Sequence, residues 1–201
     1  MIPKIIGAVV SLPLLLLLPG LALLRGRLYC GVGDSWAERL LFVVGTSAGI
    51  SSLLALLMAE AGYLRIWLLD LVLAAVTLLA FIAFGDTRRA VFFPRPRRRE
   101  LLAVAAILLV AVVMFARPAE FVAGEGDPSY YYNIGYHLAH SGEMNVHDGS
   151  VPALSDYEIS TFYVNDIAQF DAFQLRDRAA GRLQPLLYHL LPAWIGIFIM
   201  L

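Results

Sequence analysis

The chain has 201 residues, of which 60% are hydrophobic and only 15% are charged, and its formal net charge is −1. Its mean hydropathy of +0.74 excludes an ordinary soluble globular domain, in which about 25% of the residues are charged. The single cysteine, Cys30, excludes an internal disulfide. This composition indicates a membrane protein.

Long apolar runs occupy residues 5–24, 40–59, 66–85 and 100–116, and another begins at residue 186. About 20 apolar residues, at roughly 1.5 Å each, span the hydrocarbon core of a bilayer. The first run lacks the cleavage site of a signal peptide and is predicted to remain as a helix. The sequence therefore predicts an all-α, polytopic protein. Four transmembrane helices are expected, with the start of a fifth, truncated one at 186–201.

The third apolar run contains one acid, Asp70. A carboxylate is costly in lipid, so its side chain should face other helices or water. We interpret Asp70 as a residue that packs and hydrogen-bonds between helices.

Arginines between the apolar runs predict the orientation of the chain. Six lie between residues 88 and 99, and three more lie between residues 25 and 39. Short basic loops stay in the cytoplasm. The N-terminus, the short loop at 60–65 and the segment 117–185 are therefore predicted to be extracytoplasmic, in a plasma (inner) membrane. We interpret the arginine run as a topology anchor, so the expected partner is the lipid bilayer and not nucleic acid.

The segment 117–185 contains ten of the sixteen acidic residues. Asp127-Pro128 is a typical helix start, because Asp caps free backbone amides and Pro loses no hydrogen bond at the first helical position. Gly142 is a typical helix end. These residues predict an amphipathic helix at 128–141, and a second one is predicted at 166–180. Since strand alternation is lacking, the segment is expected to lie on the membrane face as a helical loop.

Two stretches of this segment resemble a known family. The first is marked by Asp127, Tyr130 or Tyr131, Gly135, Leu138, Ala139 and Gly142, and the second, 181–194, reads GRLQPLLYHLLPAW. They resemble the first external loop and the following helix start of the polytopic lipid-phosphate-sugar glycosyltransferases. That GT-C superfamily includes protein O-mannosyltransferases and aminoarabinose transferases. The resemblance implies the N-terminal part of an integral-membrane glycosyltransferase, which moves a sugar from a polyprenyl-phosphate donor to an extracytoplasmic acceptor.

The resemblance also implies roles for individual residues. Asp127, with Glu125 as a second carboxylate, would take the proton of the acceptor group. Asp127 would also hold Mg²⁺ or Mn²⁺ where the enzyme uses a divalent cation. Substrate binding, including contact with the lipid phosphate, is implied for Tyr130, Tyr131, Arg176, Arg178 and Arg182.

Simpler roles for these residues stay open. Asp127 alone would serve as a helix cap, the tyrosines as an interfacial aromatic belt, and the arginines as headgroup anchors. The alternative function is that of a non-catalytic membrane protein whose acidic external loop binds a partner or a cation.

Overall fold

The computed structural model describes residues 2–24, 35–84, 94–115, 127–164, 167–168, 173–185 and 189–201. The structure is mostly helical, at 74%. Three helical stretches are long and apolar enough to cross a membrane, at Gly7–Leu24, Trp36–Glu60 and Ile66–Phe84. At this level the prediction of a helical membrane protein is confirmed.

The helices and strands follow the chain in a simple order. The helices are α1 (Ile2–Leu16), α2 (Leu18–Leu24), α3 (Trp36–Glu60), α4 (Ile66–Phe84), α5 (Arg98–Phe115), α6 (Asp127–Ser141), α7 (Asp156–Phe162) and α8 (Leu190–Met200). The strands are β1 (Val146–His147), β2 (Tyr163–Val164), β3 (Ile167–Ala168), β4 (Phe173–Asp177) and β5 (Arg182–Pro185). The chain divides into two compact units, one of Met1–Ser51 with Asp70–Glu120 and one of Ser52–Leu69 with Phe121–Leu201.

In the first unit, hydroxyl groups of α3 hydrogen-bond to backbone groups beside the break between α1 and α2. The carbonyl of Leu15 lies four residues before Pro19, which has no N–H to donate to it. The hydroxyl of Ser51 donates to this carbonyl oxygen instead, at 2.7 Å. The N–H of Gly20 donates to Ser47 Oγ at 2.8 Å, and both serines are buried. These bonds satisfy backbone groups that lipid cannot satisfy.

Asp70 of α4 is also used between helices of this unit. The hydroxyl of Ser11, on α1, donates to Asp70 Oδ2 at 2.6 Å. The prediction that Asp70 hydrogen-bonds to another helix is confirmed.

The fourth predicted span, at 100–116, corresponds to α5 (Arg98–Phe115). Its first turn holds two arginines and a glutamate, and α5 is not among the three candidate spans. Its apolar side chains are largely exposed, including Leu102 at 70% and Ile107 at 69%. That α5 crosses the membrane stays a prediction.

The second unit contains a five-stranded antiparallel sheet with strand order β1-β5-β4-β3-β2. Its core is formed by Val151, Leu175 and Leu183, and Leu175 lies opposite Leu183 on the neighbouring strand. The predicted helix at 166–180 is wrong, because the described residues there form β3, β4 and a turn. Residues 173–177 place a buried leucine between more exposed polar neighbours, and pairing with β5 covers this apolar face. The mostly helical fold therefore includes a small sheet that the sequence analysis did not predict.

Candidate functional site

Helix α6 is the first element of the site, and it occupies the range in which the sequence predicts a helix. Tyr130, Ile134 and Leu138, spaced four residues apart, are buried along one face. The helix ends at Gly142, whose N–H donates to the Leu138 carbonyl at 2.8 Å. The φ of Gly142 is 80°, a left-handed conformation that favours glycine and terminates helices.

Helix α6 packs closely against α8. A Cβ atom on Gly135 would lie 2.5 Å from Ile195 Cγ2 and 3.1 Å from the Pro192 carbonyl oxygen. From the other side, a Cβ on Gly196 would lie 3.1 Å from the Gly135 carbonyl oxygen. The two helices cross where each has a glycine. This crossing brings together the two stretches, 127–142 and 181–194, that resemble the glycosyltransferase loop.

The end of α6 is hydrogen-bonded to the turn that joins α3 to α4. The N–H of Leu64 donates to the Gly142 carbonyl at 3.0 Å, and the N–H of Met144 donates to the Ala59 carbonyl at 3.1 Å. Met144 is fully buried. The segment after α6 is therefore fixed to the ends of two candidate membrane spans.

A polar cleft of about 290 Å³ lies between this turn and the sheet. It is lined by Glu60, Ala61, Gly62, Tyr63, Glu143, Asn145, His147 and Arg182. Glu143, Asn145 and His147 line it from one stretch of the chain, which bends at residues 144 and 145 before it enters β1. Arg182 lies directly opposite His147 in the pairing of β1 with β5. Three stretches that are distant in sequence thus supply the polar groups of the cleft.

The charges of the cleft are partly paired. A carboxylate oxygen of Glu143 lies 3.8 Å from His147 Nε2, and both side chains are about half exposed. Among the described residues, the Arg182 guanidinium has no hydrogen-bond or ion-pair partner. The cleft therefore holds a guanidinium, unpaired within the described part of the chain, and two carboxylates.

Glu60 is held by His189, which directly precedes α8. His189 Nδ1 contacts a Glu60 carboxylate oxygen, and its Nε2 lies 3.1 Å from the Pro185 carbonyl oxygen. The pair fixes one wall of the cleft to the start of α8.

Asp148 follows the cleft segment and is itself tied to the chain. Its Oδ1 accepts from the Ser150 hydroxyl at 2.6 Å and from the Ser150 N–H at 2.9 Å. These hydrogen bonds, the hydroxyl first, hold the pKa of Asp148 below its ordinary value, because they stabilise the charged form.

Neither of the two predicted catalytic carboxylates has a side chain among those described. Asp127 is the first residue of α6, but its side chain is not among those described. Glu125 lies outside the described residues. Within the described part of the chain, no group of three or more His, Cys, Asp or Glu side chains is suited to hold a metal ion.

The predicted substrate-binding residues are placed in three settings. Tyr130 is buried, with its ring 5.6 Å from that of Phe173 and 6.0 Å from that of Tyr131. Arg176 Nε donates to Gln184 Oε1 at 2.7 Å, within the sheet. Arg178 is bonded to Asp156 Oδ1 and to the Leu154 carbonyl, each at 2.5 Å.

Of the three predicted arginines, only Arg182 lines the cleft. The sequence analysis did not identify its neighbours Glu60, Glu143, Asn145 and His147 as site residues. Polar residues recur at 143, 145 and 147, but this stretch bends at residues 144 and 145, and no motif in it indicates a binding site. Nothing local to residue 60 indicates which later segment it meets.

Comparison of the chain with protein-family models, with curated proteins and with solved structures gave no match.

Proposed function

We propose that this chain belongs to an integral-membrane glycosyltransferase that moves a sugar from a polyprenyl-phosphate donor to an extracytoplasmic acceptor. The observation that supports this proposal is the close crossing of α6 and α8 at Gly135 and Gly196. The two stretches that resemble the family's external loop are 39 residues or more apart in sequence, from 142 to 181, and yet they form one unit. A functional loop of this kind requires such a joint arrangement.

A second observation supports the membrane-face location of this loop. The turn between α3 and α4 joins two helices that are long and apolar enough to span a bilayer, so it lies near a membrane surface when they do. Its hydrogen bonds to Gly142 and Met144 hold the loop at that surface. By the positive-inside rule, the arginine-rich stretch 88–99 supports the proposal that this surface is extracytoplasmic, in a multi-pass protein of the plasma membrane.

The proposed chemistry takes place at the start of α6. The oxygen of the acceptor hydroxyl bonds to the anomeric carbon as the bond from that carbon to the donor phosphate breaks. Asp127 accepts the hydroxyl proton, and Glu125 is the second carboxylate beside it. The polyprenyl phosphate leaves with the bonding electron pair. Tyr130 and Tyr131, with Arg176 and Arg178, are the proposed contacts to the sugar and the lipid phosphate, and Arg182, which lines the cleft beyond the other end of α6, is proposed to contact a more distant part of the substrate.

The substitution Asp127→Asn tests this function. Asn caps helices about as well as Asp, so a residue that only caps would tolerate the change. We expect Asp127→Asn to abolish transfer from a polyprenyl-phosphate donor in the membrane-embedded full-length protein, with normal insertion and folding. Glu38→Gln, which neutralises an exposed carboxylate on α3, is the matched control.

Near-normal transfer by Asp127→Asn would remove Asp127 from the mechanism. No transfer by the unaltered protein, with any polyprenyl-phosphate sugar, would favour the alternative of a non-catalytic membrane protein whose acidic external loop binds a partner or a cation.

A further inference from the structure

The polar cleft lies at the opposite end of α6 from Asp127. Helix α6 has 15 residues, so its two ends are about 20 Å apart along the axis. Glu143, Asn145 and His147 follow the far end of the helix. A group bound in the cleft is therefore too distant to be the carbon that reacts at Asp127.

The side chains of the cleft select among classes of ligand. A phosphate group needs donors, and the two carboxylates of Glu60 and Glu143 would repel it. A divalent cation needs several oxygen ligands, and the positive charge of the Arg182 guanidinium would repel it. Each hydroxyl of a sugar both donates and accepts, so a sugar can use the carboxylates, the Asn145 amide and the guanidinium together.

The size and lining of the cleft also suit a single sugar ring. Its volume of about 290 Å³ is at the lower end of the range for ligand pockets, which begins at roughly 300 Å³. Tyr63 is 68% exposed, and its ring offers an apolar face to the C–H groups of a sugar.

The walls of the cleft are held in place before any ligand arrives. The N–H of Glu143 donates to Ser141 Oγ at 3.0 Å, and the Asn145 carbonyl lies 3.1 Å from His137 Nε2. Glu60 is fixed by its contact with His189. The backbone of residues 143 and 145 and the side chain of Glu60 are thus already positioned, which lowers the conformational entropy lost on binding.

We propose that this cleft is a sugar-binding subsite, in which Glu60 and Glu143 accept hydrogen bonds from ligand hydroxyls while Arg182 and Asn145 donate to them. His189 is a positioning residue for Glu60. This inference rests on the proposed function for one point, namely which part of the substrate binds here. Because the cleft lies about 20 Å from Asp127, the sugar that it holds is a part of the substrate remote from the reacting carbon. The substrate class is thus an extended, glycan-bearing one.

Saturation-transfer NMR on the purified full chain in detergent tests the subsite directly, without any transfer reaction. The probes are D-glucose, D-galactose, D-mannose and D-arabinose, each added alone. We expect saturation transfer to at least one of them. Arg182→Gln and Glu143→Gln should each weaken that binding about tenfold, because each removes a hydrogen bond with a charged group.

Matched controls are Arg95→Gln and Glu38→Gln, which make the same charge changes at exposed positions outside the cleft and should leave sugar binding unchanged. Tyr63→Ala is a further test variant, because the Tyr63 side chain is exposed and its loss should not disturb folding. It should also weaken binding. For the positioning role, His189→Ala should weaken sugar binding, and His189→Gln, whose amide can still donate to Glu60, should restore it in part. Equal losses of binding in these two variants would contradict the positioning role.

Several results would overturn the subsite. The absence of saturation transfer to all four sugars would do so. Equal sugar binding by the unaltered protein and by Arg182→Gln, Glu143→Gln and Tyr63→Ala would also do so. Binding of inorganic phosphate or of Mn²⁺ that Arg182→Gln or Glu143→Gln abolishes, with no sugar bound, would also overturn it. Sugar binding without transfer would support the subsite and contradict the proposed reaction. Sugar transfer that is unchanged in the cleft variants would support the proposed reaction and contradict the subsite.

Discussion

Gly142 shows how a single residue positions the site. Its left-handed conformation ends α6, and its carbonyl receives the N–H of Leu64. A Cβ atom there would lie 2.5 Å from Arg65 Nη1 and 2.8 Å from the Leu64 carbonyl oxygen. Both the backbone conformation and the available space therefore require glycine.

We predict that Gly142→Ala lowers the free energy of unfolding by about 1–3 kcal/mol, because alanine is strained at positive φ. Thermal unfolding in detergent, followed by circular dichroism, measures the change. Gly149→Ala is the control, since a Cβ at Gly149 meets nothing within 4 Å. Equal stabilities of the two variants would contradict the argument.

A second prediction at this scale concerns Asp148. Ser150→Ala removes the hydroxyl donor, so the pKa of Asp148 should rise toward its ordinary value of 3.8. Because the pKa of Asp148 is lower in the folded state than in the unfolded state, its hydrogen bonds stabilise the folded protein above the unfolded-state pKa. This stabilisation is lost as the pH falls through the folded-state pKa. NMR titration of the Asp148 carboxyl measures the shift. Ser160→Ala, whose hydroxyl bonds to the Tyr157 carbonyl, should leave the titration unaltered.

At the scale of elements, α6 depends on a close crossing with α8. Gly135→Ala would place a methyl group 2.5 Å from Ile195 Cγ2. We expect it to destabilise the protein by about 1–3 kcal/mol, as overpacking does, and to lower transfer by disturbing the loop. Gly49→Ala, in α3, meets nothing within 4 Å and should stabilise its helix by about 0.5–1 kcal/mol. Thermal unfolding of the two variants measures both changes in stability. A Gly135→Ala variant as stable as the unaltered protein would contradict the close crossing of α6 with α8.

The elements also show what the sequence can predict. The two ends of α6 were predicted from Asp127, Pro128 and Gly142, whose preferences are local, and the predicted range 128–141 and the observed Asp127–Ser141 differ by one residue. Strand β4 depends on β5, whose Leu183 covers Leu175, and no local pattern reveals such a pairing. The cleft was missed for the same reason, because Glu60 and Arg182 are brought together only by the fold.

At the scale of the whole molecule, the hydrogen bonds between Leu64 and Gly142 require the 60–65 turn and the loop after α6 to lie on the same side of the membrane. We expect Tyr63→Cys and Ser150→Cys, each made with Cys30→Ser, to react with a membrane-impermeant thiol reagent on intact cells. Arg95→Cys should react only after lysis. Labelling of the first two positions from opposite sides would contradict the hydrogen-bonded link. Protection of both in intact cells would reverse the proposed orientation.

The interrupted first helix has a consequence for how the protein enters the membrane during synthesis. The Leu15 carbonyl and the Gly20 amide find their partners on α3, which leaves the ribosome later than α1 and α2. Until Ser47 and Ser51 arrive, these two backbone groups would cost several kcal/mol in hydrocarbon. The N-terminal segment is therefore stable in the bilayer only once it is hydrogen-bonded to α3. The translocation machinery should release the two as a helical hairpin and not one after the other.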